Sequence, residues 1–511
     1  MNEIFEIKIE PGKEDNISEI KNIVSEKYKI SIEDLADLVI LKRSLDARKS
    51  PVFHIKCTIE HEKNIISPIQ NNVRNSPAVH IIGAGPAGLF AAIRLIELGL
   101  KPILLERGKD VRNRRKDLAA LMKQGTLNPD SNYCFGEGGA GTFSDGKLYT
   151  RSNKRGSVQK VLETLVFFGA NRSIMIDAHP HIGTNKLPVI INNISKSIID
   201  CGGEIHFSTK VTDFQTKSSK LVSIDTSKGK MEVENLILAT GHSARDIFYA
   251  LHRANIAIEA KSFALGVRIE HPQEVINKIQ YKNHYQSPAL PPASYSLVTQ
   301  ANSSGVYTFC MCPGGIICPA STEDGEVVVN GWSPSTRGSY FANSGLVVEI
   351  KKETLKKNDN DGVFACLNFQ AEIEKKAFEI GGGKFTAPAQ RVEDFISSHA
   401  SSTLPKTSYK RGISPSDLRD VLPKFVSSRL KLALIEFVKK NPLYGTKDAV
   451  LVGVESRTSS PIKIPRNEKG NHVEISGLYP CGEGAGYAGG IVSAAIDGMK
   501  IAEMIKANNS N

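Results

Sequence analysis

Apolar and polar residues alternate over residues 3–9 (Glu-Ile-Phe-Glu-Ile-Lys-Ile), and a period of two predicts a half-exposed strand. From Asn16 to Ile30 the spacing changes, and Ile17, Ile20, Ile23, Val24 and Tyr28 recur on one face of a helix. Strand-like runs follow at Leu38–Arg43 and Val52–Ile59. Residues 1–72 therefore read as a small N-terminal α+β module, tied to the rest by the polar segment Asn64–Pro77. The module carries no legible chemistry, and its charged string Lys42–Lys49 reads as a solvated hairpin in preference to a partner contact.

From Ala78 a βα alternation runs to about Ala250. Residues 260–435 are richer in strands, with turns at Pro288–Pro292 and Gly314–Pro319. Helical character returns at Pro415–Lys440, and a last βα pattern spans Gly477–Lys506. The pattern predicts an α/β protein in which one ligand-binding domain is assembled from two stretches, 77–258 and 441–511. An inserted α+β substrate domain, 259–440, lies between them.

The start of the first stretch has a specific chemistry. Val79–Ile82 is a short apolar strand, followed at once by Gly83-Ala84-Gly85-Pro86-Ala87-Gly88. Leu89–Leu98 then reads as a helix and Lys101–Leu105 as a second strand that ends at Glu106. Gly83 allows the tight turn, Gly85 lets the backbone approach a pyrophosphate, and Gly88 lets helix pack on strand. The helix N-terminus offers free N–H groups to the anion. Glu106, about twenty residues on, suits two ribose hydroxyls and disfavours a 2′-phosphate. A Rossmann dinucleotide site is expected, with Arg107 beside it and Val211 further along among the cofactor residues.

Two later segments decide which dinucleotide. Glu232–Leu238 reads as a strand leading into Ala239-Thr240-Gly241-His242, a turn that passes close to the cofactor in flavoproteins. Near the C-terminus, Gly482-Glu483 and then Gly489-Gly490-Ile491 precede a helix. This reads as a second flavin fingerprint, with Glu483 in place of the usual Asp and a positive helix end aimed at the flavin pyrimidine. The expected cofactor is FAD. No second glycine fingerprint occurs between Ala260 and Lys440, and no Cys-x-x-x-x-Cys pair follows the first βαβ unit. Electrons then come from a substrate, from NAD(P)H visiting transiently, or from a partner protein.

The string Cys134–Leu148 contains Gly138-Gly139-Ala140-Gly141-Thr142, a loop able to pass against a planar ring or a phosphate. Lys147 and Arg151 after it either steady negative charge on a reduced flavin or lie on the surface. Together with Ser44–Lys49, Gly136–Leu148, Pro180–Thr184, Gly241–Asp246, Cys312–Gly315 and Glu455–Pro461, these residues make the chain resemble, over nearly its whole length, the "uncharacterized FAD-dependent dehydrogenases" of bacteria and plastids. The resemblance implies a ferredoxin-like N-terminal module, a glutathione-reductase-type FAD domain and an inserted substrate domain. It implies no particular substrate.

Other residues leave alternatives open. Cys310, Cys312 and Cys318 match neither a zinc nor an iron–sulfur spacing, so no metal is assigned. They read as buried thiols or, at Cys312, as a redox-active group. His181 and His242 either move a proton or only hydrogen-bond, and Arg457 either clamps a substrate anion or lines the flavin. Lys147, Cys312 and Arg457 are the candidate catalytic residues.

Composition changes this picture little. In 511 residues, 40% hydrophobic and 23% charged, no apolar run is long enough for a membrane span, and the N-terminus does not resemble a secretory signal. Eight irregularly spaced cysteines suit a reducing compartment, so the cytoplasm is expected. The charge of +11 is spread along the chain, which argues for solvated surface and against a nucleic-acid face. The leading expectation is a FAD-dependent dehydrogenase or reductase of a small molecule. The alternatives are a tRNA-modifying flavoprotein and a non-catalytic module with structural FAD.

Overall fold

In the structure, a computed structural model, residues 3–60, 65, 67–150, 156–355 and 362–509 are described. The expectation for Arg151 and part of the linker Asn64–Pro77 lie outside the described residues.

The first module has strands Ile4–Ile9, Leu38–Asp46 and Val52–Ile59 and the helix Ile17–Tyr28. Asn16 caps the helix by accepting from the Glu19 N–H at 3.2 Å, a contact of about 1 kcal/mol. The strands pair antiparallel with Val52–Ile59 in the middle. Among the described residues, three strands and one α-helix fall short of the four-strand, two-helix ferredoxin-like pattern that the resemblance implies. The hairpin expected at Lys42–Lys49 is present, formed by Leu38–Asp46 and Val52–Ile59, but it is not solvated throughout. Lys42–Asp46 lie in the first strand of the hairpin and residues 47–49 in its turn, and Arg43 bonds Asp177 at 2.8 Å while its backbone pairs with Ile176 and Ala178.

A five-stranded parallel sheet forms the centre of the second unit. Its spatial order is Leu478–Pro480, Leu236–Leu238, Ala78–Ile82, Lys101–Leu105, Glu204–His206. A strand from near the C-terminus thus closes a sheet begun four hundred residues earlier. The helix starting at Pro86 lies on this sheet, three residues before the predicted start, because Pro at the first position is preset for helix. Nine of its twelve residues are buried. It packs along the C-terminal helix Ile491–Asn509. A Cβ at Gly88 would overlap the Gly83 carbonyl oxygen, so only glycine lets helix and turn approach this closely. The strand expected at Glu232–Leu238 is two strands, Gly229–Glu232 in an antiparallel three-stranded sheet and Leu236–Leu238 in the parallel one.

The inserted domain is built on a seven-stranded sheet ordered Val298–Ala301, Ser304–Cys312, Phe341–Ile350, Phe263–Pro272, Val450–Glu455, Ala387–Arg391, Ile413–Pro415. Val450–Glu455 lies between two strands of this sheet, so the expected boundary at 440 is too early; the buried run Val450-Leu451-Val452 belongs to the insert's core. Helices Ala365–Gly381 and Lys424–Lys440 cover the sheet. The chain enters and leaves through a two-stranded neck, Glu259–Ala260 against Ile462–Lys463. Among the described residues, no helix is long and apolar enough to cross a membrane.

Candidate functional site

The carboxyl ends of three parallel strands, at Ile82, Leu105 and Ala239, open into one cavity enclosing about 1380 Å³, its mouth included. A crevice at strand ends is where open α/β sheets bind ligands. Gly83, Gly85, Pro86 and Ala87 line it where the helix begins. Gly85 is the N-cap and has no side chain to offer, so the first amide groups of that helix face the cavity unclaimed by a cap. A Cβ added at Gly85 would meet only the Gly139 Cα, at 3.8 Å, which leaves this spot open to a ligand.

Glu106 and Arg107 line the cavity as well. The buried Glu106 carboxylate accepts from the amides of Ala84 (2.8 Å), Gly108 (2.9 Å) and Gly136 (2.9 Å). It therefore ties the glycine turn to the later loop and keeps at most one lone pair for a hydroxyl. Arg107 lies 4.3 Å over the Phe135 ring and forks to Asp130 and Asp246, with Lys210 also reaching both carboxylates. Val211 completes this group, which offers an aromatic face, cations and apolar surface to one part of a ligand.

A second group comprises Gly139, Ala140, Gly141, Lys147, Gly490 and Ile491. Ala239, Thr240 and Gly241 join Gly482 and Glu483 along the wall, where His242 Nδ1 stands 3.5 Å from Glu483 Oε2. Ala84, Gly88, Gly138, Thr142 and Gly489 do not line the cavity. Gly138 donates to the Ala84 carbonyl at 2.8 Å, and buried Thr142 donates to the Glu137 carbonyl at 2.7 Å, so both shape the loop from behind.

Three positioning residues are not legible in the sequence. Fully buried Arg114 donates to the carbonyls of Asn132, Tyr133 and Glu137 at 2.8–3.0 Å and so holds the loop before Gly138; burial lowers its pKa to about 10. Asp497 accepts from the Gly482 amide at 2.8 Å, and Arg466 in turn forks onto Asp497. An arginine in a polar helix and an aspartate in an apolar one are faint signals.

The Arg457 expectation is corrected. Arg457 does not line the cavity. It is buried with Arg245, Glu326 and Glu374, bonding Glu374 at 2.9 Å and Thr322 at 2.6 Å, while Arg245 bonds Glu326 and Glu374 at 2.7 Å each. Arg245 begins the helix that follows the cavity turn, so the cluster links the two domains. Burial works against the Glu374 charge, but Arg245 and Arg457 outweigh it and draw its pKa to about 2. Burial and then Glu374 push Glu326 up to about 7 against the arginines. A carboxyl with a raised folded value adds stability that is complete below its ordinary 4.5 and lost as pH rises through about 7. Glu326→Gln should therefore gain on the native protein with rising pH. Between about pH 5 and about pH 8 the difference in Tm should move by roughly 2 °C in the variant's favour. Thermal melts at both values check this, and a constant difference would refute it.

Cys312 does not line the cavity either. It lies buried behind Cys310, which does, and both face Lys147. Among the described residues, no group of three or more His, Cys, Asp or Glu is arranged to hold a metal ion. The parallel sheet, the uncapped helix start and the glycine loops fit a dinucleotide, for which the helix start would hold the phosphates and Gly139–Gly141 would line the flat group.

These features define a Rossmann-type, dinucleotide-binding α/β protein. Comparison with known proteins makes the class specific. The family described as pyridine nucleotide-disulphide oxidoreductase matches residues 77–264, and that described as FAD-dependent protein, C-terminal domain-like, matches 262–458. A domain of unknown function matches residues 1–60. An uncharacterized protein of Clostridium beijerinckii is 40% identical over 96% of each chain. The chain belongs to the family of that protein, among the FAD-dependent oxidoreductases, and its cofactor is FAD. Solved structures overlap more loosely. Tetracycline destructase Tet(51) is 11% identical over 85% of this chain and 83% of its own, at TM-score 0.34. A geranylgeranyl bacteriochlorophyll reductase-like protein of Thermoplasma acidophilum is 12% identical over 85% and 80%, at 0.35.

Proposed function

We propose that the protein is a FAD-dependent dehydrogenase or reductase that moves hydride between a small-molecule substrate and the flavin, with NAD(P)H as a transient donor. The observation that carries the reading is Lys147, an ammonium held 3.1 Å from buried Asp145 on the cavity wall that it shares with Gly139–Gly141. Bound FAD supplies the capacity to accept or return a hydride. The chain supplies the rest. The amides after Gly85 bind phosphate, and Glu106 keeps the two glycine loops in register. Lys147 presents a fixed positive charge to negative charge that builds up on reduction. Burial works against that charge, but Cys310, Cys312 and Asp145 outweigh it and keep the pKa of Lys147 raised. His242, beside Glu483, is placed to hold a proton at the cavity wall. The resemblance to FAD-dependent dehydrogenases, and to the glutathione-reductase type of FAD domain, supports the same reading.

Anaerobic mixing of the yellow protein with NADH, NADPH and a metabolite extract should bleach its absorbance near about 450 nm with at least one donor. Bleaching by dithionite alone would overturn the proposal.

A further inference from the structure

The strand Ser304–Cys312 keeps its register against Phe341–Ile350 up to Phe309 and recovers it only at Cys312. In the break, Cys310 takes a left-handed backbone, φ 47°. A side chain in that region is strained and persists where the surroundings impose it, often at functional sites. Cys310 is exposed into the cavity, whereas Cys312 is fully buried. One ammonium serves both sulfurs, with Lys147 Nζ at 3.9 Å from Cys310 Sγ and 3.6 Å from Cys312 Sγ, and Cys312 Sγ donates to the Cys310 carbonyl at 3.4 Å. Arg268 bonds the Cys310 carbonyl at 2.7 Å and stands 3.6 Å from Cys312 Sγ.

Positive charge is concentrated at the pair, where Lys147 and Arg268 both approach the sulfurs. Lys147, Arg268 and Arg337 are countered by Asp145, which meets Lys147 at 3.1 Å and Arg337 at 3.2 Å, and by Glu455, which meets Arg268 at 2.8 Å. Burial raises the Glu455 pKa to about 7 and also raises that of Glu270, whose charge Arg268 meets as well, so the carboxyls set against Arg268 are weak counterweights. A hydrogen bond from Cys312 lowers the Cys310 pKa most; burial opposes it, and Lys147 and Arg268 lower it further. The same hydrogen bond and burial raise Cys312. One thiol is thus ready as thiolate and its neighbour as thiol, the pairing that thiol–disulfide chemistry uses.

We propose that Cys310 and Cys312 are a redox-active dithiol that closes to a disulfide as it passes an electron pair to the FAD, and reopens when the pair returns. The inference rests on the two-electron reading above and gives it an internal carrier at the cavity wall. In the closing step an S–S bond forms between Cys310 Sγ and Cys312 Sγ, and the S–H bond of Cys312 breaks. The thiolate and thiol together give up two electrons and one proton; FAD gains both electrons and the proton and becomes FADH⁻, so charge and hydrogen balance. Lys147 and Arg268 hold the thiolate that leaves when the bond is reopened. The chemical class this links to the cavity is a thiol–disulfide couple.

The test uses FAD-loaded protein oxidised with diamide, freed of reagent and titrated anaerobically with dithionite. The native protein should take up two electron pairs per FAD, and Cys310→Ser and Cys312→Ser one pair each. Cys201→Ser, outside the cavity, should keep two. Alkylation and peptide mapping should find Cys310 and Cys312 joined in the oxidised native protein and both alkylated after reduction. One pair per FAD in the native protein, with both thiols still free after diamide, would overturn the proposal while leaving the FAD reading intact. A disulfide from Cys310 to any cysteine other than Cys312 would overturn it too. Protein purified without FAD and unable to take it up would bring down both readings.

Discussion

Replacing Gly85 with valine should give folded, colourless protein. The site tolerates a Cβ as far as the chain is concerned, because its nearest neighbour would be the Gly139 Cα at 3.8 Å and the backbone there is not left-handed. The valine methyls would project into the cavity where the helix amides begin, and would take the space of the phosphates. We expect FAD affinity to fall at least about 100-fold, equivalent to about 2.7 kcal/mol or more. Gly85→Ala should show a milder loss. Absorbance of the flavin per chain measures both, and circular dichroism separates lost binding from lost fold. A yellow, fully loaded Gly85→Val protein would remove the helix start from the site. Gly88 gives the opposite behaviour, since its Cβ would collide with the Gly83 carbonyl and damage the fold itself.

Glu374→Leu should be the most destabilising single change among the buried charges. Its carboxylate is the partner of both Arg245 and Arg457, and without it two guanidinium groups remain buried beside Glu326 alone. Breaking a buried pair by removing one side costs about 3–5 kcal/mol. The double variant Glu374→Leu/Arg457→Met removes one charge of each sign and leaves Arg245 with Glu326 at 2.7 Å, so it should be more stable than Glu374→Leu. Urea midpoints for the single and double variants decide the matter. If the second change lowers stability further, the four groups do not act as one neutral unit.

Much of the cofactor half was legible because its chemistry is local. Strand, glycines, helix and acid lie within thirty residues, and each has a mechanical reason to be where it is. Lys101–Leu105 and Val52–Ile59 were placed to the residue for the same reason: turn formers bound a short apolar run. The losses came where distant parts of the chain meet. Arg457 sits in a donor-rich string that looks like a ligand clamp, but the partners that claim it, Glu326 and Glu374, lie far away in sequence and on other elements. Val450–Glu455 is an apolar run like any other, and only its ladder partners assign it to the insert. Lys42–Lys49 is charged, and charge reads as solvent until Asp177 comes into view. Cys312 carried a redox expectation from the sequence, but the cavity-facing thiol is Cys310, because a break in register and not the alternation of a strand sets which way it points.

The neck at Glu259–Ala260 and Ile462–Lys463 has a consequence for how such a protein can diversify. The two ends of the insert are held side by side, with Lys261 also bonded to the Pro461 carbonyl at 2.8 Å. About two hundred residues can therefore be exchanged, lengthened or remade without pulling apart the two stretches that grip FAD. Descendants of one ancestral gene can keep the same FAD-gripping base under unrelated upper storeys, while the Cys310–Cys312 pair is exchanged along with the insert. The toll falls on Arg245, which any replacement must again furnish with buried negative charge.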